Sequence, residues 1–152
     1  MGLSQKRGMD MLVSSKGRYA LRVMVDLAEH QADGYIPLKT IADRQEISEK
    51  YLESIVILLV RARMLDGVRG KGGGYKLTKA PDQYTVGSIL RLTEKSLAPV
   101  SCLEEGAACS RAAECRMLPL WQGLDRVISD YLDHITIGDL MQQCELGNDY
   151  VI

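Results

Sequence analysis

The sequence predicts a mainly α-helical chain with one short β-hairpin and a long amphipathic helix near its C-terminal end. Apolar residues recur with helical spacing in several separate segments. A glycine-rich stretch, residues 70–74, lies between two short runs typical of β-strands. With 152 residues, the chain has room for one domain, or for a small domain plus an assembly element.

The N-terminal part of the chain predicts two helices after a polar extension. The first ten residues are expected to form that extension, either native or added to the natural chain. From Ser14 to about Gly34 the apolar residues follow a helical period. Pro37 then opens a short predicted helix, residues 38–45, because proline is favoured at the start of a helix.

A third helix is predicted to begin at Ser48, a residue type that caps helix N-termini, and to run to about Met64. One stripe of this helix is apolar and should be buried, whereas its N-terminal, outward side carries Lys50, Tyr51, Glu53 and Ser54. Two helices joined by a short turn, the second with polar residues near its N-terminus, predict a helix-turn-helix.

The glycine-rich stretch is predicted to be the tip of a hairpin. Its strands are expected at 67–69 and 75–78, and its tip carries Arg69 and Lys71. Glycine permits positive φ and a close approach of the backbone to a phosphate or a narrow groove. A nucleotide-binding loop is excluded because such loops run into a helix, whereas these glycines run into a strand.

The remainder of the sequence predicts two more helices around an irregular segment. Thr85 should cap the first, residues 96–116 are expected to be irregular, and a long helix should span about 118–134 before a short helix from Thr136. Apolar residues form a seam along the long helix. We expect that seam to pack against a second copy of the chain, with the first helix of the same chain as the alternative.

Composition and charge exclude several classes of protein. An apolar content of 46% is ordinary for a folded domain, no run approaches a membrane-spanning length, and no secretory leader is evident, so we expect a cytoplasmic protein. The net charge of −1 hides an asymmetry. Residues 1–80 carry 14 basic and 9 acidic side chains, whereas residues 81–152 carry 5 and 11. A basic N-terminal part favours a polyanionic partner.

All four cysteines lie in the acidic part, at Cys102, Cys109, Cys115 and Cys144. Structural disulfides are improbable in a reducing cytoplasm, so metal or redox chemistry is the favoured interpretation of the first three, with free thiols or a zinc site as alternatives.

No nucleophile–base pair or carboxylate dyad has the spacing of a catalytic site, and we predict that the chain is not an enzyme.

Three collinear motifs resemble the Rrf-two family of bacterial winged-helix transcription regulators, which includes IscR, NsrR and CymR. They are SKGRYA at 15–20, ISEKYLE at 47–53 and VRGKGGGY at 68–75, within a match over about 11–142. The expected divisions are an extension at 1–10, a winged helix-turn-helix module at 11–80, a linking helix and cysteine loop at 81–117, a dimerisation helix with a short C-terminal helix at 118–144, and a flexible tail at 145–152.

The resemblance implies a homodimer, of repressor type, that binds a near-palindromic DNA operator. The helix from Ser48 would then lie in the major groove, and Arg69 of the wing would reach the minor groove. Lysines and arginines at the edges are candidates for phosphate contacts, with solvated surface positions as the alternative. The candidate DNA-binding residues are Lys16, Arg18, Lys39, Ser48, Lys50, Tyr51, Glu53, Ser54, Arg69, Gly70 and Lys71.

The resemblance also implies that Cys102, Cys109 and Cys115 hold an iron–sulfur cluster, of either the [2Fe–2S] or the [4Fe–4S] type, and sense cluster, redox or nitric-oxide status. Where IscR has a histidine three residues after the third cysteine, this chain has Leu118. Relatives like NsrR take the last ligand from the partner's first helix, where this chain has Arg18. The fourth ligand therefore stays unassigned.

The last four residues, Asp149, Tyr150, Val151 and Ile152, resemble the C-terminal peptide with which serine acetyltransferase enters the active site of O-acetylserine sulfhydrylase. The CymR branch of the family has a similar ending and the same partner. An alternative function is therefore regulation of cysteine metabolism through docking of the tail to that enzyme. The other possibility is that the tail packs back onto the dimer.

Overall fold

The computed structural model describes residues 13–104 and 112–145. The helices are α1 (Ser15–Glu29), α2 (Leu38–Gln45), α3 (Glu49–Arg61), α4 (Val86–Thr93), α5 (Leu118–Asp133) and α6 (Ile137–Glu145). Strands β1 (Leu65–Val68) and β2 (Gly74–Leu77) form an antiparallel hairpin between α3 and α4. The mainly helical class with a winged hairpin, predicted from the sequence, is confirmed.

Hydroxyl side chains define where the helices begin. The Oγ of Ser14 accepts a hydrogen bond from the backbone N–H of Gly17, and Ser48 does the same for Tyr51. Thr85 caps α4 in this way too. Each cap satisfies a backbone donor that the first turn of a helix leaves free.

The turn between α2 and α3 and the end of α3 both use left-handed backbone. Glu46, with φ 55°, reverses the chain between the two helices. Helix α3 ends at Arg61, about three residues earlier than the sequence predicts, because Arg63 adopts φ 62°. That conformation closes the helix and lets β1 begin at Leu65, two residues before the expected start.

The hairpin is anchored to the rest of the chain at its base. Leu65 pairs with Leu77 and Val68 with Gly74, while Ile36 and Tyr75 exchange two backbone hydrogen bonds of 2.9 Å. A side chain on Gly74 would collide with the backbone of Ile36, and its φ is 149°. Glycine is therefore required at this position for the wing to meet the preceding loop.

One core joins elements from both ends of the chain. It contains the inner faces of α1, α2 and α3, together with Tyr84, Ile89 and the fully buried Ile137. The phenol oxygen of Tyr84 accepts hydrogen bonds from the N–H groups of Thr78 and Lys79 and donates one to the carbonyl of Met64. The wing and the start of α4 are thereby fixed to the helix-turn-helix.

Helix α5 lies at the edge of this core. None of its residues is buried, and its intrachain packing is mainly against α4. Arg91 of α4 and Asp133 of α5 form a two-bond ion pair, with N–O distances of 2.6 and 3.1 Å. Among the described helices, none is both long enough and apolar enough to cross a membrane.

Candidate nucleic-acid interface

The two faces of α3 differ sharply. Of the five residues predicted to form its buried stripe, Leu52, Ile55, Val56 and Leu59 are completely buried, whereas Val60 is only partly buried. Helical spacing places the predicted DNA-binding residues elsewhere on the helix: Lys50 and Glu53 are exposed, and Tyr51 and Ser54 are partly exposed. Helix α3 therefore packs against the core with its apolar face and presents a mixed polar surface to solvent.

That outward surface is longer than the sequence interpretation recognised. Ile57, 41% exposed, and the exposed Arg61 follow Lys50 and Ser54 along the same side of α3. The spacing of four, three and four residues is the signal that could have identified Arg61 from the sequence. A cation thus lies near each end of the exposed side.

The wing stands next to the C-terminal end of that surface. Ile57, Arg61, Arg69 and Tyr75 are among the residues that line an open groove of about 270 Å³ between α3 and the hairpin. Two candidate residues of the wing, Arg69 and Lys71, are exposed. The structure therefore brings the α3 residues and Arg69 to neighbouring edges of one surface.

The conformation of the wing tip depends on glycine. Gly70 and Gly72 have φ values of 91° and 77°, a region that other residues adopt at a cost. The N–H of Gly73 donates a 2.9 Å hydrogen bond to the carbonyl of Gly70, and a side chain on Gly73 would collide with the carbonyl of Val68. The tip is a tight turn that leaves the side chains of Arg69 and Lys71 in solvent.

The orientation of α3 is supported by aromatic and cationic side chains of α1. The rings of Tyr19 and Tyr51 meet edge to face, with centroids 5.8 Å apart. Arg22 stacks over Tyr19 at 5.0 Å, and its guanidinium donates hydrogen bonds to the side chain and the backbone carbonyl of Gln45. Tyr51 is therefore connected through α1 to the end of α2.

A buried carboxylate completes this connection. The Asp26 residue is only 3% exposed and accepts hydrogen bonds from Arg44, at 2.6 and 3.0 Å, and from the amide of Gln45, at 2.8 Å. Burial alone would raise the pKa of Asp26, but the bonds from Arg44 and Gln45 outweigh it and hold that pKa below its usual value. The ionised carboxylate of Asp26 thus fixes the end of α2, where the turn of the helix-turn-helix begins.

The predicted phosphate-binding residues lie in the first turns of α1 and α2 and at the wing tip. Arg18, Lys39 and Lys71 are exposed, and Lys16 is partly exposed. Within the described residues, none of the four takes part in an ion pair. Their charges are therefore available to a polyanion.

The cysteine loop lies between α4 and α5. Cys102 is in a short turn, Ser101–Leu103, and Cys115 directly follows another, Ala112–Glu114. Both are partly buried free thiols, whereas Cys109 lies outside the described residues. The part of the chain that the structure describes contains no cluster of three or more candidate metal ligands.

The start of that loop contacts the first turn of α1. Glu94 accepts hydrogen bonds from the N–H of Ser14, at 3.0 Å, and from its hydroxyl, at 2.7 Å. Burial alone would raise the pKa of Glu94, but the bonds from Thr93 and Ser14 lower it overall. The four predicted tail residues, Asp149 to Ile152, lie outside the described residues.

Comparisons with known proteins agree with this geometry. Residues 13–143 match the family model described as "Rrf2: Iron-dependent Transcriptional regulator". The HTH-type transcriptional regulator IscR of Aliivibrio salmonicida is 39% identical over 137 residues, which cover 90% of this chain and 80% of that relative.

Two solved structures have a similar fold. The structure of T. potens IscR has a TM-score of 0.72 and 33% identity, and the match covers 93% of each chain. The structure of CymR, the global cysteine regulator of B. subtilis, has a TM-score of 0.71 and 36% identity, over 86% of this chain and 96% of that one. The family model and the IscR relative are both named transcriptional regulators, which agrees with the prediction that this chain is not an enzyme. Since the family model matches most of its length, the chain belongs to the Rrf2 family of transcriptional regulators.

Proposed function

We propose that this chain is a cytoplasmic, dimeric repressor that inserts α3 into the major groove of an operator and places Arg69 in the adjacent minor groove. The observation that supports this best is the contrast between the two faces of α3. One face is completely buried, while Lys50, Ser54, Ile57 and Arg61 follow one another on the exposed side, next to the wing.

The residues divide into two groups by their expected contacts. Tyr51, Glu53 and Ser54 lie on the N-terminal part of α3, which enters the groove in helix-turn-helix proteins and meets base edges. Lys16, Arg18, Lys39 and Lys71 would contact phosphates, which fix the position of the protein without reading sequence. Ser48 and Gly70 support their neighbours through the cap of α3 and the turn of the wing.

The experiment that tests DNA binding is a gel-shift titration of Arg69→Ala against the operator. Loss of one minor-groove cation should weaken binding about tenfold, and its salt dependence should decrease. Arg126→Ala, on the exposed side of α5, is the matched control because it removes the same charge away from the wing. Equal affinities of the two variants would contradict the placement of the wing.

A second copy would complete the molecule along α5. The exposed apolar residues of this helix recur every three or four positions and include Leu120, Leu124, Val127 and Tyr131. A continuous apolar stripe on an exposed helix is typical of a dimer interface. Two heads related by a twofold axis would read the two halves of a palindromic operator.

The sensing site would be the cysteine loop. Thiolates are the ligands that iron–sulfur clusters use, and Cys102, Cys109 and Cys115 would supply them. The donor chemistry fits, since Cys102 and Cys115 are free thiols on either side of residues 105–111. A bound cluster would supply a redox- and nitric-oxide-sensitive centre, and the chain would report its state through the position of the loop.

The sensing proposal is tested by anaerobic purification followed by iron and sulfide assays and an absorption spectrum. We expect matching iron and sulfide with visible bands in the native protein. Replacement of all three loop cysteines by alanine should abolish both, whereas Cys144→Ala should retain them. Full iron content in the triple variant would contradict the site.

A second candidate function is the control of cysteine metabolism through the C-terminal tail. It is favoured by the similarity to the structure of CymR, a global cysteine regulator. The partner would be O-acetylserine sulfhydrylase, with the carboxylate of Ile152 in its anion site. Calorimetry should detect binding by the intact chain and none after deletion of Ile152. No heat with the intact chain would exclude this function.

A further inference from the structure

Glu94 connects three parts of the molecule. It caps the C-terminus of α4, where its N–H donates a 2.9 Å hydrogen bond to the carbonyl of Leu90. Its carboxylate holds Ser14 through two hydrogen bonds and also accepts one of 2.7 Å from Thr93. The segment that follows Glu94 leads directly to Cys102. We name the pair of Ser14–Glu94 hydrogen bonds the clasp.

The backbone of α1 is built to admit this carboxylate. Ser14 uses its Oγ twice: it accepts the hydrogen bond of the Gly17 N–H and donates to Glu94. A Cβ at position 17 would lie 2.5 Å from Oε2 of Glu94. Glycine at position 17 therefore provides the space in which the carboxylate sits, although Gly17 is inside a helix, where glycine costs stability.

The clasp is favourable because of where the charge lies. The N-terminus of a helix carries unpaired N–H groups and a partial positive charge, and an anion there stabilises the first turn. The same turn carries Lys16 and Arg18. A displacement of Glu94 would remove that anion and two hydrogen bonds from the turn that presents these cations.

A second contact fixes the same end of α4 to α5. Arg91 pairs with Asp133, one helical turn from Glu94. An open cleft of about 360 Å³ lies between this end of α4 and α5. Its lining includes Glu94 at the end of α4, Leu97 and Leu103 from the following loop, and Asp125 from α5. The C-terminal end of α4 is therefore the point where α1, α5 and the cysteine loop meet.

We propose that the Ser14–Glu94 clasp couples the cysteine loop to the DNA-facing turn of α1, with Glu94 as a positioning residue for Lys16 and Arg18. This inference rests on the proposed function, because it takes the first turn of α1 as part of the operator surface. The clasp is the contact through which the cysteine loop would act on the first turn of α1 within one chain. Coupling must be reciprocal, so DNA binding at α1 alters the loop.

The test uses that reciprocity in the metal-free protein and needs no cluster. The rate of alkylation of Cys102 is followed by mass spectrometry, with and without a saturating DNA duplex that the native chain has enriched from a random-sequence pool. That duplex serves as the operator, and its affinity is measured in parallel. In the native chain we expect the operator to change the Cys102 rate at least threefold. In Ser14→Ala and in Glu94→Ala that change should vanish, and affinity should fall about tenfold.

A conservative variant and a distant control separate coupling from general destabilisation. Ser14→Thr retains the hydroxyl and should restore both readouts. Ser88→Ala removes a hydroxyl at the other end of α4, where it donates to the carbonyl of Thr85, and should behave as native. Melting temperatures are measured for every variant. If Glu94→Ala unfolds, Glu94→Gln replaces it in the test. Because this side chain retains one acceptor oxygen, we expect a smaller loss of operator affinity and of the operator-induced change in the Cys102 rate.

The outcomes distinguish this inference from the proposed function. A native chain that fails to bind any DNA overturns the proposed function and the clasp with it. Native binding with an unchanged Cys102 rate overturns the clasp alone. The clasp is also overturned if Glu94→Ala binds the operator normally and retains the operator-induced change, or if Ser88→Ala loses as much as Ser14→Ala.

Discussion

At the scale of single residues, the helix-turn-helix depends on one buried carboxylate. Asp26 lies on α1, but its carboxylate accepts hydrogen bonds from Arg44 and Gln45 at the end of α2. Gln45 in turn accepts from Arg22, which stacks on Tyr19. A change at Asp26 is therefore expected to move the turn before α3 rather than only to weaken α1.

We predict that Asp26→Asn lowers the free energy of unfolding by about 2 kcal/mol, since it removes a charged acceptor from a buried set of donors. The measurement is urea unfolding of both proteins. Asp133→Asn is the matched control: it alters a similar two-bond arginine pair, but one whose carboxylate side chain is 40% exposed, so its cost should stay below about 1 kcal/mol. Equal losses would contradict the role of burial.

The low pKa of Asp26 also predicts the direction of the pH dependence. A carboxyl group with a depressed folded-state pKa stabilises the fold above its unfolded value, about 4, and that stabilisation is lost as the pH falls through the folded value. Unfolding free energies between pH 7 and pH 3 should therefore decline more steeply for the native chain than for Asp26→Asn. Parallel curves would show that Asp26 is not the titrating group.

At the scale of elements, local sequence signals predicted the helix starts better than their ends. Ser48 and Thr85 are capping residues whose preference is encoded within one turn, and both cap the helices expected of them. The end of α3 was misplaced because Arg63, a residue type with no preference for left-handed backbone, adopts it under tertiary constraint.

The contacts that organise the candidate site could not be predicted in the same way. Asp26 and Arg44 are 18 residues apart, and Ser14 and Glu94 are 80 apart. No local pattern distinguishes these side chains from ordinary exposed charges. Periodicity could have identified Arg61, whereas the pairing of Glu94 with Ser14 becomes visible only when α1 and α4 are packed together.

The packing of α4 on α5 depends on a glycine. A Cβ at Gly87 would collide with the carboxylate of Asp133, which Arg91 holds in place. We predict that Gly87→Ala costs about 1 kcal/mol net in urea unfolding, because overpacking outweighs the gain in helix propensity. In an Asp133→Ala background the same substitution should become neutral or stabilising. An equal penalty in both backgrounds would exclude this collision as the cause.

At the scale of the whole molecule, α5 presents apolar surface that residues 13–104 and 112–145 leave uncovered. Val127 is 64% and Tyr131 66% exposed, and they continue the stripe of Leu120 and Leu124. A single chain exposing such a stripe would tend to associate. The acidic C-terminal part of the chain thus carries the candidate assembly surface, and the basic part carries the candidate DNA surface.

We predict that Val127→Glu converts the proposed dimer to a folded monomer, because it places a charge in the middle of the apolar stripe. Sedimentation equilibrium should show half the native mass, circular dichroism should be unchanged, and operator affinity should fall at least tenfold. Gln122→Glu adds the same charge on the opposite side of α5 and should remain dimeric. A native mass for Val127→Glu would place the interface elsewhere.

The burial of Ile137 has a consequence for synthesis on the ribosome. Ile137, near the C-terminal end of the chain, sits in the same core as Val23 and Leu27 of α1, and its N–H bonds to the carbonyl of Tyr84. A nascent chain that has released only α1, α2, α3 and the wing still lacks the piece that closes this core. The helix-turn-helix and the wing therefore complete their native core only after α6 has left the exit tunnel.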